Sequence, residues 1–308
     1  MRHLLHCFGM TVVAAATLSA FCGSEPRPGV SASIDSSGSR LAYYEYQRAN
    51  NDFRLVVEDL STARRRVLDD QLASIQPAWS PDGKSVAYVK FDAASSTVLS
   101  IVNVDSGARR AVSLGDAGPP IGLAWISAGQ LAFGAGGKLE ILDLETGTVL
   151  LSRDLATLDL QPDFASLSVN AAGVAAFAVN TDGPDTRTVW TLALRSDAAP
   201  QRLTEGHDDA SPAWLDEHRI LFSRGDLGTS ERHLWLVDVR TKEARQVTTG
   251  PVMDILPTVN SRSVFFTRIE VPKAWQGRTA GGNWNGGEGM TKFLESAQIV
   301  SIERSKLR

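Results

Sequence analysis

Six times along this chain a short apolar strand ends on an aromatic residue. The segments are Leu41-Ala42-Tyr43, Val86-Ala87-Tyr88, Leu131-Ala132-Phe133, Ala175-Ala176-Phe177, Ile220-Leu221-Phe222 and Val264-Phe265-Phe266. The aromatics lie 45, 45, 44, 45 and 44 residues apart. A phase held that closely over six units is an internal repeat, and a repeat constrains the fold before any single element does.

Each unit carries the same further parts. A first strand places an apolar residue in register: Ile34, Trp79, Trp125, Val169, Trp214 and Val259. A turn follows, such as Pro81-Asp82-Gly83-Lys84 or Asn260-Ser261-Arg262, whose Asp, Asn and Gly suit tight turns. After the aromatic strand and a polar loop comes an alternating strand such as Leu139–Leu144 or Leu234–Val239. A second turn leads to a fourth strand such as Arg66-Val67-Leu68 or Gln246-Val247-Thr248. Four antiparallel strands repeated six times predict an all-β fold, a six-bladed β-propeller of four-stranded antiparallel blades. Radial stacking buries faces and edges that one such sheet leaves open. A straight solenoid competes, but no helix pattern or capping unit accompanies the repeat. The expected blades are 30–70, 74–115, 119–155, 163–205, 209–250 and 254–303, within a propeller domain of 30–308. Unit 6 reaches its third strand at Ile299–Ile302 and then has little chain left. Ser305–Arg308 or the segment before Val30 is expected to cover that edge, unless the last blade is incomplete.

Residues 1–21 read as a signal peptide, with Arg2 before an apolar run of about a dozen residues and then small residues. The run is shorter than the roughly 20 residues a membrane-spanning helix needs. Two endings fit: cleavage after Ala20, or lipidation of Cys22, which is followed by a polar tether over 22–29. The chain has only two cysteines, Cys7 and Cys22, too few for a disulfide framework or a four-thiolate zinc site. Its formal charge of −4 argues against binding nucleic acid through phosphates.

The wording of the repeat resembles a known family. Gln76-Pro77-Ala78-Trp79-Ser80-Pro81-Asp82-Gly83-Lys84-Ser85-Val86-Ala87-Tyr88 is similar to the WD40-like repeat of TolB-like propellers. So are Asp209-Ala210-Ser211-Pro212-Ala213-Trp214, Leu234-Trp235-Leu236-Val237-Asp238 and Arg245-Gln246-Val247-Thr248-Thr249-Gly250. The resemblance covers about 30–303 and is strongest in units 2 and 5. It is to the propeller alone, since unit 1 starts too early for the α/β domain that precedes the propeller in TolB. Similar repeats also occur in propellers attached to serine peptidases, but no hydrolase domain follows here. The resemblance implies an exported binding or scaffold module in the bacterial envelope, in the periplasm or lipid-anchored, and non-enzymatic. It would take a protein, peptide or glycan through one rim.

Signatures of chemistry are sparse. There is no Gly-x-Ser-x-Gly, His-Glu-x-x-His, Cys-x-x-Cys or phosphate-loop motif. No cofactor and no metal is expected, and the protein is expected to be a monomer. His218 and His233 read as solvated turn residues, whereas His207, in His207-Asp208-Asp209, is more open. The loops entering first strands and those between second and third strands share one rim. That rim gathers Asp70, Asp116, His207, Asp208, Asp209 and Asp254 with Asp92, Asp182, Arg224, Asp226, Arg268 and Glu270. It is expected to be acidic, although Asp is also a common loop residue. Five tryptophans, Trp79, Trp125, Trp190, Trp214 and Trp235, fall at repeat positions and read as core. Trp275 and Trp284 do not. Both lie in a swollen loop over 272–296, rich in Gly, with Met290 and Phe293. A loop of that length in a compact domain is functional or disordered as a rule. The candidate binding residues are therefore Trp275, Trp284, His207, Asp208, Asp254 and Arg268. The plainer reading of the loop is a plug for the channel or a cover for the last blade. A propeller enzyme, a lyase or hydrolase acting on sugars or lactones, is the alternative, with His207, Asp208, Asp254 and Arg268 as its site.

Overall fold

The structure is a computed structural model that describes residues 26–70, 76–91, 97–114, 118–181, 186–226, 229–273, 276 and 294–307. The expected signal peptide, Cys22, Trp275 and Trp284 lie outside the described residues. No described helix is long and apolar enough to cross a membrane.

The chain is all-β. Strand β1 (Arg27–Pro28) is followed by a four-stranded sheet of β2 (Val30–Ile34), β3 (Arg40–Gln47), β4 (Asp52–Asp59) and β5 (Arg64–Asp70). The next sheet holds β6 (Ala78–Trp79), β7 (Ser85–Phe91), β8 (Thr97–Asn103) and β9 (Arg109–Val112). The third holds β10 (Leu123–Ser127), β11 (Gln130–Ala135), β12 (Lys138–Asp143) and β13 (Val149–Asp154). The fourth holds β14 (Gln161–Val169), β15 (Val174–Asn180), β16 (Arg187–Ala193) and β17 (Gln201–Arg202). All four are antiparallel meanders in sequence order, as the repeat predicts.

The last two units depart from six separate blades. Strands β18 (Asp208–Trp214), β19 (Arg219–Gly225), β20 (Arg232–Asp238) and β21 (Ala244–Gln246) share one eight-stranded sheet with β22 (Val252–Val259), β23 (Ser263–Glu270), β24 (Gln298–Glu303) and β1. The join is one parallel bridge, Arg232 with Met253. The expected tether is partly structural. Arg27 and Pro28 pair with Ile299 and Gln298, so the segment before Val30 covers the start of β24. Gly29 N–H donates to Ala297 O at 3.2 Å, and Arg27 Nε lies 2.7 Å from the buried Glu58 carboxylate. A 3₁₀ turn, Arg304–Leu307, follows β24 and buries Leu307.

The turns form for a local reason. Asp35 Oδ1 accepts from the backbone N–H of Ser39 and Arg40, and Asn170, Asp216 and Asn260 accept likewise in later units. Between third and fourth strands, Asp59, Asn103, Asp143 and Asp238 do the same. These side chains satisfy N–H groups that a tight turn leaves without a ladder partner.

All six aromatic anchors are buried to 1% exposure or less. They join apolar clusters that pass from each unit to the next. Ala176, Val189 and Leu203 pack with Ile220, Phe222 and Val237, and Ile34, Leu41, Tyr43 and Val56 pack with Phe265 and Ile299. The second of these closes last unit on first. Outside the clusters, arginines of the fourth strands reach the following unit. Arg66 donates to the carbonyls of Val104 and Asp105, Arg110 to Leu144 and Arg245 to Leu307. Their aliphatic stems cover apolar surface while their heads satisfy chain-turn carbonyls.

Candidate functional site

The two ends of the ring differ. At the end where first strands begin, the expected acidic rim is built around arginines. Arg187 of β16 holds Asp208 with two hydrogen bonds, at 2.7 and 2.9 Å, and reaches Asp163 at 3.1 Å. Arg232 of β20 donates to the Asp208 carboxylate and backbone carbonyl. Neighbouring side chains on a strand point to opposite faces, so Asp209 turns from this group to its own sheet. There it takes a two-pronged bond from Arg224, its cross-strand partner, at 2.7 and 2.8 Å. One repeat later Asp254 and Arg268 form the same pair at 2.7 and 2.7 Å. Asp209 and Asp254 are completely buried. The Arg224 guanidinium also stacks over Trp235 and Phe222, and Arg268 over Phe266.

Burial alone would raise the Asp208 carboxyl, but Arg187 and Arg232 hold it below its ordinary value. Burial alone would likewise lower the Arg187 guanidinium, yet Asp208 and Asp163 raise it. A carboxyl depressed in the folded state contributes stability above its unfolded value, near pH 4, and loses it as pH falls through the folded value. Urea melts of Asp208→Asn should therefore show a flatter loss of stability below about pH 4 than the native chain. Equal slopes would contradict this.

Of the sequence candidates, Asp208, Asp254 and Arg268 thus share this end of the ring, each in an ion pair. His207 is the more accessible one, with Nδ1 3.2 Å from the exposed Asp226 carboxylate. Asp92, Asp116 and Asp182 lie outside the described residues. His233 is not the solvated turn residue expected. It sits within β20, burial lowers its pKa, and its Nδ1 is buried without a hydrogen bond among the described residues. Among the described residues, no group of three His, Cys, Asp or Glu is placed to hold a metal ion. The sequence reading missed Arg187 and Arg232. The signal was present, because these two stand 45 residues apart, as do Asp163 and Asp208.

The other end opens into a cavity of about 270 Å³. All six register residues, Ile34, Trp79, Trp125, Val169, Trp214 and Val259, line it. Pro77, Pro212 and Pro257 join them. Proline fits there because the innermost strand has no further strand to receive its N–H. The tryptophans are therefore more than core. Trp79 is buried and donates Nε1–H to Ser33 O at 3.0 Å, and the half-buried Trp125 donates to Ala78 O at 2.9 Å. Each bond ties one unit to the preceding one. Trp214 repeats the position, but its buried Nε1 has no such partner among the described residues. An indole N–H is only a donor, so the buried Trp214 Nε1 is left unsatisfied within the wall, while indole and aliphatic side chains and the polar backbone of the first strands line the mouth.

A stretch of 78 residues, 24% of this chain, is 37% identical to the Tol-Pal system protein TolB of Hahella chejuensis. A stretch of 77 residues is 30% identical to TolB of Wigglesworthia glossinidia brevipalpis. The chain is similar to TolB. The similarity is local, since the chain spans only 18% of either TolB relative. No family model matches. The structure of TolB from Acinetobacter baumannii superimposes with a TM-score of 0.54 at 16% identity, over 86% of this chain and 64% of that one. The tricorn protease superimposes with a TM-score of 0.57 at 14% identity, over 82% of this chain and 26% of that one. The β-propeller domain of the trilobed protease from Pyrococcus furiosus, whose topology is an open velcro, gives 0.52 at 13% identity, over 83% and 92%. At such identities these likenesses show the fold alone, a TolB-like β-propeller.

Proposed function

We propose that this protein is an exported, six-bladed TolB-like propeller that acts as a non-enzymatic binding or scaffold module in the bacterial envelope. The blade count rests on the six sequence repeats, with the eight-stranded sheet read as two blades that touch at one bridge. The export assignment rests on residues 1–21, with Cys22 as the anchor if it is lipidated. Recovery of a diacylated chain beginning at Cys22 would establish the anchor, and a soluble chain beginning at Phe21 would exclude it.

The observation that carries the binding reading is the open channel mouth. Six equivalent positions deliver three indoles and three aliphatic side chains to the lining of one cavity. Aromatic faces rimmed by polar turns suit a protein, peptide or glycan ligand, and rigid strands hold them in place. The opposite end is less available where Asp163, Asp208, Asp209 and Asp254 are already matched by arginines. His207 is assigned as a secondary contact on that end, and Trp275 and Trp284, outside the described residues, stay candidate contacts on the strength of the sequence.

The test is a photo-crosslinking residue introduced in cells at Trp125, at His207 and at Leu150, an exposed residue of the outer strand β13. The expected result is a discrete adduct from Trp125 and none from Leu150. Adducts from His207 without any from Trp125 would move the site to the other end of the ring. Adducts from neither would overturn the binding reading.

A further inference from the structure

We propose a second site, an oxyanion pocket for a phosphoryl group, at the outer corner of the last two repeats. A cavity of about 680 Å³ lies between the start of β19, the turn from β22 to β23 and the end of β24. Three guanidinium groups line it: Arg219, Arg262 and Arg304. The remaining lining side chains are the serines 261, 263 and 305 and the single carboxylate of Glu303. No apolar side chain lines it, so it suits a polar ligand rather than a hydrophobic one.

The pocket follows from the way the last repeat ends. In β4, six residues from Arg54 to Asp59 pair with the outer strand β5. In β24, only Gln298 and Ile299 pair with β1. Among the described residues the far end of β24 has no outer strand, and the 3₁₀ turn Arg304–Leu307 folds there, its Leu307 carbonyl accepting from Arg219 and Arg245. Elsewhere in the ring Arg66, Arg110 and Arg153 are spoken for by carbonyls, and Arg187, Arg224, Arg232 and Arg268 by carboxylates. Here Arg219 and Arg304 are matched too, Arg304 also donating to the Asn260 carbonyl at 3.3 Å, and Arg262 is the one left over among the described residues of the pocket. Asp216 is shared between Arg219 at 2.7 Å and Arg304 at 3.7 Å, and Ser305 lies on Glu303. Arg262 is exposed and makes no side-chain ion pair among the described residues. Three guanidiniums offer more donors than a carboxylate can accept, whereas a phosphoryl group presents three oxygens and up to two charges. Neither the channel mouth nor its ligand takes part, so this site stands or falls apart from the binding reading above.

The pocket is tested by titrating the full chain with inorganic phosphate at low salt, with acetate as control, followed by calorimetry. Cosedimentation with phosphatidylglycerol and phosphatidylcholine vesicles identifies the source of the group. The variants are Arg262→Glu, at an exposed side chain, and Lys242→Glu on the β20–β21 turn as a charge-matched control. The expected result is phosphate binding that acetate does not reproduce and that Arg262→Glu weakens at least about tenfold while Lys242→Glu does not. Binding of phosphatidylglycerol vesicles with the same dependence on Arg262 would assign a lipid headgroup, and binding of phosphate alone a soluble phosphoryl compound. No phosphate binding, or binding equally weakened by both variants, would overturn the proposal. Unchanged thermal midpoints for Arg262→Glu separate loss of the site from loss of the fold.

Discussion

Arg224→Ala should destabilise the protein by about 3–5 kcal/mol, one of the largest single effects in the molecule. Its partner Asp209 is completely buried, and Arg224 supplies both of its charge-assisted bonds. Removing the guanidinium leaves a carboxylate that is neither solvated nor paired. The stacking on Trp235 and Phe222 is lost with it. The pair itself is a different quantity, because desolvating two charges offsets much of their attraction. The double variant Asp209→Leu/Arg224→Met should therefore recover at least half of the loss. Urea denaturation of the native chain, the single variant and the double variant checks this. A single variant within about 1 kcal/mol of native, or a double variant no better than the single, would show that Asp209 finds another partner or water.

Substitution at Gly122 should cost a comparable amount, and by a route no side chain can relieve. A Cβ there would lie 1.8 Å from the Phe164 carbonyl oxygen, and its φ of +121° disfavours any other residue. Gly134 faces the same phenylalanine from the next strand, where a Cβ would lie 2.2 Å from the ring. Phe164 is 2% exposed and packs on Phe177 with ring centroids 5.5 Å apart. The two glycines therefore form the slot through which the third and fourth repeats join. Gly122→Ala should lose more than about 3 kcal/mol, at or beyond the upper end for overpacking. Gly134→Ala should lose somewhat less, while Gly129→Ala, with nothing within 4 Å, should stay within about 0.5 kcal/mol of native. Phe164→Ala, itself costing about 3–5 kcal/mol, separates the mechanisms. It should suppress the added cost of Gly134→Ala, where the clash is with a ring, but not that of Gly122→Ala, where it is with backbone. Equal suppression of both would mean that the strands move apart as a unit.

The ring was legible in the sequence because its period is written in side chains that must be buried. Tyr43 to Phe266 keep their phase since each anchors a second strand in the same slot between neighbours. The register residues were legible too, yet their role was not. Ile34, Val169 and Val259 read as apolar register residues and Trp79, Trp125 and Trp214 as core, and only the radial arrangement turns that stripe toward an axis with space on it. Charges misled in a different way. Asp208 and Asp254 looked like solvated loop acids because alternation along a strand says nothing about what lies across from it. Arg187, two strands away and in the preceding repeat, supplies the answer for Asp208. The closing strand was legible only as one of two possible covers for the last edge, since Arg27 and Pro28 are too few to show any period. The joining of the last two units was invisible for a related reason, as it depends on one residue pair, Arg232 and Met253.

The pairing of β1 with β24 also sets a timetable. Pro28 and its partner Gln298 are 270 residues apart, 298 minus 28. At roughly 5–20 residues per second, the first strand leaves the ribosome on the order of 15–50 s before the strand it must meet. Throughout that interval the five residues of β2 and the buried face of the first repeat have no neighbour on one side. Contacts between such distant residues are also the slowest to form once the whole chain is present. The protein is thus most exposed to proteases and to misassembly before its last repeat arrives. A chaperone that shields the first repeat would act on the one element whose wait is longest.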